Sequence, residues 1–558
     1  MEKRILLIDD DELVVRTLER LLASKGYHVE TANNAIDAVS KVAITDFGLV
    51  ISDIRMPGES GIIAIEKIKK IYDEKRHISG FMFITGYAEE DTPEHAIRLG
   101  VDRFLFKPFD NDTFLRNVQE ELELVQKARE LREIVQPAPH IVHKAPSVSR
   151  RRAVITGIGV VAPNGIGREA YWQGIRQGKN CVDFITLFDH STYPSKVAAE
   201  IPNFDPKLYI DDPHQIKRMG RSAHLGVAAS KLALKDAGIT ALNGEPVDVI
   251  LGSATAGLDY AEPEIRSLER SGVRRVRPYA GIAAFGGAIS GEVSRAVGAN
   301  GACITFSNGC TSATDALGYA LKQIRYGFCD MIIAGGADAC VTSAIVAAFC
   351  QMGAISTRND KKASRPFNKD RDGFVIAEGS WMFILEELGH ALNRKAKIYG
   401  ELAGYGATCD AWHMSMPHPS GEYTARAIQL ALEDARVQPQ HVDIFEAYGN
   451  GTPINDSYET AIVKKVFGRH AYNMAVPSVK SMLGHPIGAA GGQQLAAALL
   501  ALNEGFIHPT INYEVPDPEC DLDYVPNEGR RGTFNVAVCN SLAFGGKNAA
   551  IVVRSFEK

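Results

Sequence analysis

The strongest constraint on this chain is a break near residue 140. A charged run that begins Gln119-Glu120-Glu121 continues with helical spacing to Ile134, and Pro137-Ala138-Pro139 and Lys144-Ala145-Pro146-Ser147 follow it. Proline fixes φ and lacks the N–H that a helix needs, so this stretch reads as an extended linker. It divides the 558 residues into two units that must each bury their own core. The expected boundaries are 1–118 for the first unit, 119–150 for a linker that is helical and then proline-rich, and 151–558 for the second unit.

Before the break, short apolar runs alternate with amphipathic stretches, the pattern of a parallel βαβ sheet. The strands are Arg4 to Ile8, His28 to Thr31, Leu49 to Ser52, Gly80 to Thr85 and Arg103 to Phe106. In such a sheet the loops at the carboxyl ends of the strands converge on one crevice. Asp9 and Asp10 follow the first strand, Asp53 follows the third, Thr85 ends the fourth and Lys107 ends the fifth. Crowded carboxylates repel one another unless a hard cation such as Mg²⁺ offsets them, and that ion would also shield an incoming phosphoryl group. Asp53 is then the phosphoacceptor, with Asp9, Asp10 and Asp53 around the metal and Lys107 pairing with phosphoryl oxygens. The runs Ile5-Leu6-Leu7-Ile8-Asp9-Asp10-Asp11, Ser52-Asp53-Ile54-Arg55-Met56-Pro57-Gly58, Thr85-Gly86-Tyr87 and Lys107-Pro108-Phe109 together resemble the receiver domain of bacterial response regulators. The resemblance implies a flavodoxin-like doubly wound fold. It also implies Thr85 and Phe104 as switch residues and a sensor histidine kinase as phosphate donor.

The second unit opens with Ala153-Val154-Ile155-Thr156 and shows few credible breaks to Val553. Ala302-Cys303-Ile304-Thr305-Phe306 reads as a strand and Thr311-Ser312-Ala313-Thr314-Asp315 opens a helix, so Cys310 lies on the turn between them. A helix N-terminus favours a thiolate and offers free N–H groups to an oxyanion. A nucleophilic cysteine needs partners that are distant in sequence. Ser478-Val479-Lys480-Ser481-Met482-Leu483-Gly484-His485-Pro486-Ile487-Gly488 supplies Lys480 and His485 in a glycine-rich loop before an Ala-rich helix. The order strand, cysteine turn and helix, then histidine loop and helix, suggests an internal duplication without a sequence-level repeat.

These motifs, with Ala334-Gly335-Gly336-Ala337-Asp338, Ser364-Arg365-Pro366-Phe367, Arg371-Asp372-Gly373-Phe374 and Asn540-Ser541-Leu542-Ala543-Phe544-Gly545-Gly546, resemble the elongating β-ketoacyl-[acyl carrier protein] synthases. The resemblance spans Arg152 to Val553 and implies a thiolase-like fold, two βαβ halves in an α/β/α/β/α stack. It implies that Cys310 takes an acyl group from carrier phosphopantetheine, that His485 bonds the extender thioester and that Lys480 organises the loop. The oxyanion hole would be the N–H groups of Cys310 and of the Leu542 position, with Leu542 and Phe544 at the gate and Asn450 and Thr452 on the pantetheine. Two positions depart from the family. Tyr448, in Tyr448-Gly449-Asn450-Gly451-Thr452-Pro453, replaces a histidine that helps stabilise the enolate from malonyl thioester, and Leu542 replaces a gating phenylalanine. Lys217, Arg218 and Arg221 form a basic patch suited to an acidic carrier protein. A homodimer is implied by resemblance alone.

Three readings follow from the departure at Tyr448. The first is condensation of a Cys310-bound acyl group with malonyl-carrier in fatty-acid or polyketide-like synthesis, under phosphorylation control. The second is non-elongating acyl transfer, and the third is a regulatory subunit of a complete synthase.

Composition narrows the remaining classes. Net charge is −6, with 16 Lys and Arg against 24 Asp and Glu in residues 1–125, which argues against a nucleic-acid partner. Nine scattered cysteines without C-x-x-C fit a reducing cytoplasm. The apolar run Ile5 to Ile8 is too short for a leader, and no membrane span is expected. Gly157-Ile158-Gly159 imitates a dinucleotide fingerprint, but Pro163-Asn164-Gly165 stands where the phosphate-binding helix would already run, so no such cofactor is expected. His140, His143, His413 and His418 lack the further ligands a metal site needs.

Overall fold

The computed structural model describes residues 4–134, apart from 58, 76, 86–100 and 102, and residues 151–556, apart from 243. It forms two compact units, Met1–Pro146 and Ser147–Lys558. The proline-rich linker, His140 and His143, Gly58, and Gly86-Tyr87 lie outside the described residues.

In the first unit, β1 (Arg4–Ile8), β2 (His28–Ala32), β3 (Leu49–Asp53), β4 (Gly80–Thr85) and β5 (Arg103–Phe106) form one parallel sheet in the order β2-β1-β3-β4-β5. The order reverses between β1 and β3, which opens the crevice where Asp9 and Asp53 emerge. Alternate side chains of β1 serve opposite faces. Ile5 and Leu7 pack with α1 (Glu12–Ser24) and α4 (Asn111–Ile134), whereas Leu6 and Ile8 pack with α2 (Ala35–Ile44) and α3 (Gly61–Lys75). This is the flavodoxin-like doubly wound arrangement. α4 runs on through residue 118, and its Leu122 is buried in the same core as Phe114 and Val118.

The second unit is built on β6 (Ala153–Ala162), β7 (Asp248–Gly252), β8 (Cys303–Phe306), β9 (Met331–Ala339), β10 (Glu378–Glu387), β11 (Gly400–Cys409), β12 (Ile444–Glu446), β13 (Val536–Ala543) and β14 (Lys547–Arg554). They run in the order β8-β7-β9-β10-β6-β11-β14-β13-β12. Two half-sheets meet where β6 pairs with β11 through only Ala153/Leu402, Val154/Glu401 and Ile155/Gly400. Between the halves lie α5 (Ser312–Arg325) and α6 (Ala490–Glu504), whose Ala316, Leu317, Leu495 and Leu499 pack with strands of both halves. Outside the first half lies α7 (Arg221–Asp236), and outside the second lie α8 (Glu422–Ala435) and α9 (Pro453–Phe467). The stack is helix, sheet, helices, sheet, helices, the expected thiolase-like layering.

The fingerprint-like glycines have a packing role. A Cβ on Gly159 would lie 1.9 Å from the Ala229 carbonyl oxygen, so β6 and α7 touch backbone to backbone there.

Candidate functional sites

In the first unit the described residues hold one group of side chains close enough to share an ion, Asp9, Asp10 and Asp53, with donor oxygens all within 4.8 Å. Asp9 is buried, Asp53 half-buried and Asp10 exposed. Three carboxylates offer the hard oxygen donors that Mg²⁺ takes, so the set fits that ion. Lys107 Nζ donates to Asp9 Oδ2 at 3.0 Å and to Asp53 Oδ2 at 2.9 Å. Burial pushes the Asp9 carboxyl up, against the pull of the Asp11 N–H and of Lys107. Asp11 itself caps α1, accepting from the Leu13 and Val14 N–H groups. Thr85 is buried at the end of β4, and Phe104 stacks on Phe83 with centroids 5.8 Å apart.

In the second unit Cys310 sits in a short 3₁₀ turn, Gly309–Thr311, that leads directly into α5. Gly309 adopts φ +66°, which makes the turn possible after β8. Asn308 Nδ2 and Thr311 Oγ1 donate to Asp315 Oδ2 at 2.8 and 2.9 Å, and the Tyr405 hydroxyl of β11 donates to Oδ1 at 2.8 Å. The nucleophile turn is therefore tied to the opposite half-sheet.

Cys310 Sγ lies 3.2 Å from His485 Nε2, and the Tyr448 hydroxyl lies 3.2 Å from the same nitrogen. All three side chains are at least 95 % buried. Burial pushes the thiol up to about 11, with the Tyr448 hydroxyl and the Lys480 charge pulling the other way. Burial, and then the Lys480 charge, push His485 well below its usual range, so its ring is neutral. The resting pair is thus S–H donating to a neutral imidazole. Lys480 Nζ donates to the Tyr448 carbonyl at 2.7 Å and lies 5.0 Å from the centre of the Tyr448 ring. Burial pushes Lys480 down to about 8. The buried Glu459 carboxylate fixes the tyrosine turn, accepting from the Tyr448 and Gly449 N–H groups at 2.8 Å and from Asn540 Nδ2 at 2.6 Å.

A cavity of about 30 Å³ borders this centre, lined by Tyr448, Leu542, Ala543, Phe544 and Ser415 among others. Phe544 stacks on Phe349, Phe349 meets Phe374 edge-on, and Phe374 meets His485 edge-on. The gate loop also bonds the 410–416 segment, from Gly545 N to the Met414 carbonyl and from Asp410 N to the Gly546 carbonyl, both at 2.7 Å.

One sequence expectation needs correction. Arg221 is no free docking cation, because its guanidinium donates from Nε and Nη2 to the fully buried Glu378 at 2.6 Å. Lys217 and Arg218 do remain exposed. Asn450 is buried, and its Oδ1 accepts from the Thr452 N–H and hydroxyl. Thr452 in turn caps α9. His413 and His418 accept from nearby N–H groups of their own loop.

Residues 150–391 match the β-ketoacyl synthase N-terminal domain, and residues 399–514 match its C-terminal domain. The chain belongs to the β-ketoacyl synthase family. Residues 5–119 match the response regulator receiver domain, so this synthase carries a receiver at its N-terminal side. A 3-oxoacyl-[acyl-carrier-protein] synthase 2 of Synechocystis sp. is 40% identical over 415 residues, covering 74% of this chain and 100% of that relative. An actinorhodin polyketide putative β-ketoacyl synthase 1 of Streptomyces coelicolor is 40% identical over 422 residues, 73% of this chain and 89% of the relative. Among solved structures, a ketosynthase in complex with a type II polyketide acyl-carrier protein superposes with TM-score 0.68 at 32% identity, covering 73% of this chain and all of that one. A β-ketoacyl synthase from Burkholderia phymatum gives TM-score 0.68 at 31% identity, with the same coverage. The protein is thus a ketosynthase-like, acyl-transferring enzyme related to type II fatty-acid and polyketide synthases. No helix among the described residues is long and apolar enough to cross a membrane.

Glu459 and Phe349 carry no sequence signal that marks a site. Each is a single residue in an ordinary helix, brought to the centre by the fold.

Proposed function

We propose that the protein is a β-ketoacyl-[acyl carrier protein] synthase whose activity is set by phosphorylation of its receiver. The observation that supports it best is the buried contact of Cys310 Sγ with His485 Nε2 at the start of α5. In the loading step the Cys310 proton passes to His485 Nε2, and the thiolate attacks the carrier-bound acyl thioester. The Tyr448 hydroxyl and the Lys480 charge favour the thiolate. The N–H groups of Cys310 and of the Leu542 position stabilise the tetrahedral oxyanion. The bond to the pantetheine sulfur breaks, and that sulfur takes the proton back from His485. The Phe544 gate loop lines the cavity beside Tyr448, so a pantetheine arm that enters there passes it.

In the condensing step the malonyl thioester loses carbon dioxide, and its enolate carbon attacks the Cys310 thioester, releasing the thiolate. Once Cys310 is acylated it no longer donates to Nε2, so the neutral His485 ring in its Nε2–H tautomer and the Tyr448 hydroxyl are the two groups able to donate to the enolate oxygen. Because these two already bond each other at 3.2 Å, a second reading has specific support, acyl transfer without elongation. The complete cysteine and histidine pair favours either enzyme over a purely regulatory subunit.

The carrier partner is an acidic acyl carrier protein. Lys217 and Arg218 are exposed on one surface, and Arg277 reaches the Lys217 carbonyl from the neighbouring turn that also exposes Arg274 and Arg275. A sensor histidine kinase supplies phosphate to Asp53, and the active assembly is a homodimer in the cytoplasm. Mg²⁺ held by Asp9, Asp10 and Asp53 would offset the charge of the carboxylates and the arriving phosphoryl group. Lys107, now on Asp9 and Asp53, is placed to follow the phosphoryl oxygens.

Mass spectrometry of the protein with acyl-carrier and malonyl-carrier together tests the whole reading, with Asp53 phosphorylated and unphosphorylated. An acyl adduct on Cys310 followed by an extended product supports condensation, whereas an adduct without extension supports transfer alone. Equal rates in both phosphorylation states refute the regulation.

A further inference from the structure

We propose that Asp338 is a positioning residue that holds the His485 loop at bonding distance from Cys310, an inference that rests on the acyl-transfer role of that pair. Asp338 lies near the end of β9 and is fully buried. Its Oδ1 accepts from the Ser253 hydroxyl at 2.9 Å and from the Thr255 N–H and hydroxyl at 3.2 and 2.5 Å. Its Oδ2 accepts from the Ala254 N–H at 2.8 Å and the Gly488 N–H at 2.9 Å. Backbone N–H groups can only donate, so position 338 needs an acceptor at both oxygens.

The partners lie on both sides of the reacting pair. Ala254 packs in the apolar cluster that encloses Cys310 and Tyr448, and Ile487, next to Gly488, is part of the same cluster. Gly488 has no room to spare, since a Cβ there would lie 2.2 Å from Ala254 N and 2.5 Å from Asp338 Oδ2. The carboxylate therefore clamps the backbone three residues beyond His485 to the loop after β7.

The clamp adds to what orients the imidazole from the reacting side, its Nε2 contacts with Cys310 and Tyr448 and its edge contacts with Phe374 and Tyr448. Among the described residues His485 Nδ1 has no hydrogen-bond partner, so no carboxylate or carbonyl behind the ring fixes its direction or tautomer. Behind the ring its placement rests on the backbone, which is held by His485 N to the Val375 carbonyl at 2.7 Å, by Ala377 N to the His485 carbonyl at 3.0 Å, and by the Gly488 clamp. Asp338→Asn exchanges one acceptor oxygen for a donor NH₂. Whichever way the amide lies, at least one backbone N–H then faces a donor, and one of the two loops shifts.

Misplacing reacting groups by an ångström costs on the order of 10²-fold in rate. The test is a double-mutant cycle on the full chain, reading acyl transfer from octanoyl-coenzyme A to Cys310 by intact mass, with melting temperature measured alongside. Asp338→Asn is expected to slow loading about 10- to 100-fold with His485 present, and less than about twofold in the His485→Ala background. Equal loss in both backgrounds, or no loss at all, overturns the assignment. If Asp338→Asn does not fold, Thr255→Val removes one hydroxyl from Oδ1 and should slow loading about threefold with the same dependence on His485; independence overturns the assignment again. Native protein that never loads Cys310 refutes the acyl-transfer role itself, whereas normal loading with an unaffected Asp338→Asn refutes only the clamp.

Discussion

Tyr448→His separates the two half-reactions of the synthase unit. The phenol is buried, and both burial and the adjacent Cys310 thiol push its pKa well above the usual tyrosine range, so it is neutral at every working pH. It has one proton to give, and in the resting site its hydroxyl lies 3.2 Å from His485 Nε2. Stabilising the enolate oxygen through Tyr448 and His485 together means breaking that contact first. Losing one donor of an oxyanion site costs roughly 10²- to 10³-fold, about 3 to 4 kcal/mol. Since the tyrosine hydroxyl recovers part of this, we expect carbon dioxide release from malonyl-carrier to rise by up to ~10²-fold in Tyr448→His. Loading depends on the thiolate and backbone N–H groups, and an imidazole N–H can replace the phenol as donor to sulfur, so it should change less than about threefold. The smaller ring costs about 1–2 kcal/mol of stability, which a melting curve reads separately. Native protein that already releases carbon dioxide as fast as Tyr448→His would refute this account of Tyr448.

Other outcomes follow from single contacts. With its thiol raised to about 11, Cys310 should be alkylated by iodoacetamide at a rate that climbs about tenfold per pH unit from 7 to 9, and a plateau near pH 7 would contradict the neutral resting pair. Gly159→Ala forces a methyl group onto the Ala229 carbonyl and should lower stability by about 2–4 kcal/mol in thermal melts; an unchanged melt would mean that α7 can move off β6 without cost. A small-molecule phosphodonor with Mg²⁺ should add one phosphoryl group to Asp53 by intact mass, and equal labelling of Asp53→Asn would place the acceptor elsewhere.

The parts of both sites that can be read in the sequence are those whose position is set locally. A carboxylate directly after a strand must emerge at the carboxyl edge of the sheet, so the strand pattern alone gathers Asp9, Asp53, Thr85 and Lys107, and the fold brings Lys107 within 3.0 Å of both Asp9 and Asp53. Cys310 is legible for the same reason, since a turn between a strand and a helix places it at a helix N-terminus. Local position alone does not yield a thiolate, however. The burial that protects the nucleophile also raises its pKa, the Tyr448 hydroxyl and the Lys480 charge offset only part of that rise, and the base that can take the proton, His485, lies 175 residues away.

What the sequence hides is pairing at long range. Arg221 shares a stretch with Lys217 and Arg218, but only the fold shows that Glu378, 157 residues later and fully buried, claims its guanidinium. A buried carboxylate left without that arginine would carry an uncompensated charge, so the pairing outweighs any surface role. Asp338 is visible as part of a glycine-rich strand, yet its meaning depends on Gly488, 150 residues on, and on a loop that is itself shaped by the carboxylate. Such residues have no motif of their own because the constraint is mutual: the carboxylate needs five donors in place, and the donors need the carboxylate. Local pattern therefore finds the groups that react, and the groups that hold them at 3.2 Å emerge only when both half-sheets are assembled around α5 and α6.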